Sequence, residues 1–155
     1  MEERLSAAVE TFVCKGIRES LAILDLDHFK LVNDMFGHDE GDRVLISFSK
    51  LVSSMLREGD ELFRFGGEEF VALLVGNDVE RVEPLMEEIR IQVAENINAQ
   101  GRAVTTSVGV AYLNLGEKWD DWLKRADLAL YKAKACGRNQ VVMASPPGVN
   151  PEIPV

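Results

Sequence analysis

The stretch ELFRFGGEEFVALLV, Glu61 to Val75, places two apolar runs on either side of Gly66-Gly67. Two glycines between runs of this kind predict a β-hairpin with a type I′ turn, because both central positions of that turn require positive φ. Upstream, SLAILDLD (Ser20 to Asp27) is an apolar run that reads as a buried strand, with carboxylates only at its C-terminal end. Downstream, AVTTSVGVAY alternates Thr106, Val108, Val110 and Tyr112 with Thr105, Ser107, Gly109 and Ala111, the period of a strand. QVVMA, from Gln140, closes the sheet. Helical patterns fill the intervals. Val9, Phe12 and Val13 predict an opening helix capped by Gly16. A short helix is expected from His28. A longer amphipathic one runs from Asp39 through Val44, Leu45, Phe48, Leu51, Val52 and Met55 to near Gly59. The pattern from Asp78 to Asn98 contains Pro84, which marks either a kink or a helix start. Trp119, Trp122, Leu123, Ala126, Ala129, Leu130 and Ala133 predict a last helix stopped at Gly137. The order predicts one mixed sheet with helices packed on it, an α+β fold of the α/β-sandwich kind.

The chain has 155 residues, enough for one domain, placed at residues 1–143; residues 144–155, ending SPPGVNPEIPV, are expected to form a mobile tail. It is 46% hydrophobic and 28% charged, too apolar for intrinsic disorder. A net charge of −9 opposes nucleic acid and anionic lipid, so an anionic ligand needs a bound cation or a few placed basic groups. Cys14 and Cys136 have no CxxC spacing, which argues against a zinc site or a disulfide framework. No apolar run approaches the ~20 residues of a membrane span, and the acidic start MEERL lacks the basic region of a signal peptide. A cytoplasmic setting without membrane contact is expected.

Three clusters could carry chemistry. Asp25 and Asp27 share one strand face at a strand end, where open sheets place ligands. They suit a hard cation such as Mg²⁺ or Mn²⁺, or else Asp27 caps the helix from His28 and Asp25 is solvated. Glu68 and Glu69 follow two residues without side chains, which leaves space for a phosphate, or they keep a hairpin edge soluble. Asp127, Tyr131, Lys134 and Arg138 fall on one helical stripe. Lys134 and Arg138 there either hold phosphates or complement the helix dipole. Asp39 and Asp42 open the long helix, and His28 and His38 read as structural. No Walker-type phosphate loop and no Ser/His/Asp arrangement is present.

DLDHFKLVND, FGHDEGD, RFGGEEF, TTSVGV and ADLALYKAKACGRN, in this order from Leu21 to Val142, resemble the GGDEF domains, the diguanylate cyclases. The resemblance implies a palm-like sheet related to the nucleotidyl cyclases. It also implies condensation of two GTP into cyclic di-GMP and two pyrophosphates across a homodimer. By the same resemblance, Asp25, the carbonyl of Leu26, Glu68 and Glu69 would bind Mg²⁺ (or Mn²⁺), and Glu68 would be the catalytic base. Asn33 and Asp42 would read guanine. The backbone at His28 and Phe29, with Lys30, Lys134 and Arg138, would hold phosphates, and Gly67 would admit the nucleotide. An RxxD product-inhibition site would comprise Arg57 and Asp60, with Arg64 contributing. Glu88 stands where some members carry an Arg for two-domain inhibition. The family's DxLTGLxNR stretch is absent upstream of the first helix, and a sensory or receiver domain usually precedes it. The alternative reading is a catalytically silent module that binds cyclic di-GMP or GTP and regulates a partner.

Overall fold

The computed structural model describes residues 1–148. In chain order its elements are α1 (Glu2–Lys15), β1 (Glu19–Leu26), α2 (Phe29–Phe36), α3 (His38–Met55), β2 (Glu61–Arg64), β3 (Glu69–Val75), α4 (Val82–Asn96), β4 (Asn98–Ala99), β5 (Arg102–Ala103), β6 (Thr106–Tyr112), α5 (Trp119–Ala135) and β7 (Val141–Met143). β1 is buried along its whole length, which is why its sequence is a continuous apolar run and not an alternation. It pairs antiparallel with β3 on one side and β6 on the other. β2 and β7 lie at the edges, β7 parallel to β6, in the order β2-β3-β1-β6-β7.

Successive side chains of β1 serve opposite faces. Ala22, Leu24 and Leu26 join Phe48 of α3 and Met86 and Ile89 of α4 on one face. Leu21 and Ile23 join Leu5 of α1 and Trp122 of α5 on the other. Across the first core the rings of Phe48 and Phe70 stack at a tilt, 5.0 Å between centroids. Beneath the second, Trp122 Nε1 donates to the Ala111 carbonyl at 2.8 Å. α5 rests directly on β6. A Cβ at Gly109 would meet the carbonyl oxygen of Ala126 and the amide nitrogen of Leu130, each at 2.3 Å. Only a residue without a side chain allows that approach.

The Gly66-Gly67 connection differs from the expected type I′ turn. Neither glycine has a left-handed φ. Instead Phe65 N and Gly66 N both donate to the Glu69 carbonyl, at 2.8 and 3.2 Å, and Gly66, Gly67 and Glu68 form a wider loop. Arg64 holds that loop open by donating to the carbonyls of Gly66 at 3.2 Å and Gly67 at 2.7 Å. α4 begins at Val82 and carries Pro84 in its first turn, where its missing N–H costs nothing. The small β4–β5 hairpin was not expected. Arg138 does not continue the α5 stripe, since the helix ends at Ala135 and Arg138 lies beyond Gly137 with φ 62°. Residues at the start of the expected tail are tied down: Ala144 N donates to the Val110 carbonyl at 2.7 Å, and Arg125 to the Ser145 carbonyl at 3.0 Å. Residues 149–155 of that tail lie outside the described residues.

Candidate active site at the loop end of the sheet

The C-terminal end of β1 and the start of β3 meet at the wide glycine loop. Asp25 stands opposite Glu69 in the strand register, and Leu26 N donates to the Glu68 carbonyl at 3.2 Å. Asp25 is buried, whereas Glu68 and Glu69 are half-buried. From α5, Lys134 Nζ reaches Asp25 Oδ2 at 2.7 Å. Asp25, Leu26, Glu68, Glu69 and Lys134 are thus brought to one edge. A Cβ on Gly67 would meet nothing within 4 Å, so the loop leaves open space above that edge.

Electrostatics at this edge are unbalanced. Burial holds the Asp25 carboxyl above its usual range, against the pull of Lys134 and with a push from Asp27. Burial also raises Glu69, with the Asp25 charge adding to it and Lys134 opposing. Negative charge therefore exceeds the one ammonium that faces it. Such hard oxygen donors fit a divalent cation of the Mg²⁺ class. Among the described residues no three carboxylate, imidazole or thiolate groups converge as a ready-made cage.

Asp27 does something else. It does not cap α2, whose N-terminal flank at His28 has no side-chain capping bond. Its carboxylate accepts from Thr105 Oγ1 at 2.8 Å, Ser107 Oγ at 2.6 Å and the Asn139 amide at 3.0 Å. It thereby pins the turn after α5, where Arg138 sits, to the end of β1. His28 turns the chain into α2 with φ 56° and is exposed. The Phe29 ring is buried in the core, and Lys30 is exposed. Asn33 lies against α3. A Cβ at Gly41 would fall 1.9 Å from Asn33 Oδ1 and 3.2 Å from the Phe29 ring. Asp42, the next residue, is exposed, and the bare backbone at Gly41 admits the Asn33 amide one position before it in the chain.

The remaining expected group divides. Arg57 and Asp60 lie together at the far end of the β2–β3 pair, Arg57 N donating to Asp60 Oδ2 at 3.2 Å. Arg64 is not with them, because it sits at the loop end of β2 and its guanidinium is bound to the loop. Asp27, Thr105, Ser107, Asn139, Gly41 and Gly109 are positioning residues that the sequence reading did not identify as such. The two glycines could have been found, since glycine inside a helix or strand weakens it and often marks a close approach.

Residues 1–140 match the family described as "Diguanylate cyclase, GGDEF domain". The chain belongs to that family. It is 43% identical over 125 residues to the diguanylate cyclase DgcM of Escherichia coli (strain K12), a match covering 81% of this chain and 30% of that protein. The active GGEEF domain of a diguanylate cyclase from Vibrio cholerae superposes with a TM-score of 0.87 at 36% identity, covering 94% of each chain. The GGDEF domain of DgcB from Caulobacter crescentus, solved in complex with c-di-GMP, gives 0.84 at 33% identity, over 91% of this chain and 86% of that one. The fold is accordingly the nucleotidyl cyclase palm of GGDEF domains, with GGEEF at Gly66 to Phe70 as the signature. The chain spans less than a third of the length of DgcM. No helix among the described residues is long and apolar enough to cross a membrane.

Proposed function

We propose that this GGDEF domain condenses two GTP into cyclic di-GMP and two pyrophosphates. The 3′-oxygen of each GTP attacks the α-phosphorus of the other, and the bond from that phosphorus to the pyrophosphate breaks. The observation that carries this reading is the pair Asp25 and Glu69, opposed across two strands beside the open loop, with Lys134 as the one ammonium at the edge. Asp25, Glu69, the Leu26 carbonyl and Glu68 would hold Mg²⁺ or Mn²⁺. Bound there, such an ion supplies neutralisation of the triphosphate and polarisation of the α-phosphate.

The chain's own residues do the rest. Glu68 takes the proton from the 3′-hydroxyl. The backbone at His28 and Phe29, with Lys30, Lys134 and Arg138, binds the phosphates, and Asp27 keeps Arg138 at the edge by holding the Asn139 amide. Asp42 accepts from the N1–H and 2-amino group of guanine while the Asn33 amide both donates and accepts. Adenine would leave Asp42 unpaired, a mismatch that discriminates strongly. Each domain holds one GTP, so the reaction needs two copies facing across a two-fold axis. Arg57 and Asp60 form the product-binding site that restrains the enzyme.

The test is chromatography of the products formed from GTP and Mg²⁺ at low and high protein concentration. Cyclic di-GMP rising more steeply than linearly with protein, and lost in Glu68→Gln, is the expected result. Tight binding of cyclic di-GMP without turnover, even in an enforced dimer, would select a silent regulatory module instead.

A further inference from the structure

Arg57 is already occupied by a partner from its own chain. Its Nη1 donates to Asp78 Oδ2 at 2.9 Å and its Nη2 to Asp78 Oδ1 at 3.0 Å, a two-pronged ion pair across 21 residues. The pair closes over Gly76, which takes φ 126° and where a Cβ would lie 2.7 Å from Asp78 Oδ1 and 2.8 Å from Arg57 Nη2. A second guanidinium flanks it. Arg81 Nε lies 3.3 Å from Asp78 Oδ2, and Arg81 Nη2 donates to Asp60 Oδ1 at 2.9 Å. Asp60 is committed to the fold, its covered carboxylate also taking the Val75 amide at 3.0 Å. Of the four charged groups, Arg57 and Asp78 are the two about half exposed, at 48% and 50% of their side chains.

From this geometry we propose that Asp78 is a built-in competitor for the ligand of Arg57, setting the affinity and the selectivity of that site. The inference rests on the reading of Arg57 and Asp60 as a product-binding site. A guanidinium offers parallel N–H groups that match two acceptors at a fixed spacing. The two free oxygens of a phosphodiester have that spacing, as do O6 and N7 of guanine. Asp78 uses the same Nη1 and Nη2 donors, so its carboxylate and such a ligand exclude one another. A monodentate anion replaces only half of what Asp78 gives, which favours ligands that bring two acceptors.

Two features keep Arg57 in place once Asp78 is displaced. Its Nη2 also donates to the Val75 carbonyl at 2.6 Å, and its backbone amide stays on Asp60. Loss of Asp78 therefore leaves Arg57 anchored, with the two N–H groups that Asp78 held free for a ligand. An exposed ion pair is a weak competitor, so the expected attenuation of ligand affinity is about two- to five-fold.

The experiment is calorimetric titration of cyclic di-GMP into the wild-type chain, Asp78→Ala, Asp78→Asn, Arg57→Ala and the Arg57→Ala/Asp78→Ala double variant. Both Asp78 variants are expected to bind two- to five-fold more tightly than wild type, and the gain is expected to vanish when Arg57 is absent. Asp78→Asn keeps the side-chain shape and serves as the reference should Asp78→Ala lower the thermal midpoint. Unchanged or weaker binding in the Asp78 variants, with Arg57→Ala still losing affinity, overturns the competitor and leaves the product site standing. A gain that survives without Arg57 also overturns it. Arg57→Ala without effect on binding in either background overturns the product site, and the competitor with it.

Discussion

The two ends of the β2–β3 hairpin carry the same kinds of side chain and treat them oppositely. At the far end, Arg57, Asp60, Asp78 and Arg81 are matched, two cations to two anions, and each carboxylate meets a guanidinium. Ion pairing with Arg57 draws the Asp78 carboxyl below its usual range. At the loop end, Asp25 and Glu69 face one ammonium, Lys134, while the Arg64 guanidinium is turned to the loop carbonyls, and burial pushes Asp25 and Glu69 upward. Charges that the fold satisfies stabilise it. Charges that the fold leaves in excess are, on the proposed reading, those that a cation and phosphates would balance. On that proposed reading, chemistry belongs to the loop end and restraint to the other.

The largest expected effect follows from removing one of the excess charges. Asp25→Asn is expected to lower cyclic di-GMP synthesis by at least about 100-fold, as when a group aimed at transition-state charge is lost. Mg²⁺ is also expected to raise the thermal midpoint of the wild type, by binding the native state, and not that of the variant. A variant stabilised by Mg²⁺ as much as wild type would place the cation elsewhere and break the contrast. Next comes Asp27→Ala, which strips partners from Thr105, Ser107 and the Asn139 amide at once. With hydrogen bonds to a charged group worth about 1.5–3 kcal/mol each, the expected loss is about 3 kcal/mol or more in denaturant unfolding. A loss under about 1 kcal/mol would mean that water replaces this clamp.

How much of this was legible in the sequence depends on how far each residue's partners lie along the chain. β1 and α3 could be read because burial writes itself into local patterns, an unbroken apolar run in one and a helical stripe in the other. Asp27 was open to misreading as a helix cap because its three partners are 78 to 112 residues away. The glycine loop departs from its expected turn for a local reason instead, since bonds spanning two to four residues, from Arg64 and to the Glu69 carbonyl, fix its width. Asp25, Glu68 and Lys134 were named as candidates from the sequence, but the order in which burial, Lys134 and Asp27 act on Asp25 is a property of the packed state. The pairing of Arg57 with Asp78 has no local signature at all.

A smaller effect is expected at Gly41. Gly41→Ala forces the Asn33 amide away from α3 while leaving the loop end untouched. The expected outcome is about a ten-fold higher KM for GTP with kcat nearly unchanged, the pattern of lost ground-state binding. An unchanged KM, or a kcat that falls with an unchanged KM, would make Gly41 a general packing residue.

The smallest effect is also the sharpest test of the contrast, because the two ends should respond to acid with opposite signs. Asp25 has a raised carboxyl in the folded state, so the native protein holds that proton more firmly than the unfolded chain. Relative to Asp25→Asn, wild type is expected to gain stability as pH falls from about 7 through that raised value toward the ordinary carboxyl range near about 4. The gain includes a contribution from Glu69, whose own rise is caused in part by the Asp25 charge. Asp78 is the reverse case. Its folded-state value is lowered by Arg57, so the stability it contributes is present above the ordinary range and is lost as pH falls through the depressed value. Relative to Asp78→Asn, wild type is therefore expected to lose stability as the titration continues from the ordinary range near about 4 downward, by a small margin because the pair is exposed. Urea midpoints for the three proteins at stepped pH measure both differences. Curves that slope the same way would show that the two ends do not differ in charge balance, whatever their geometry.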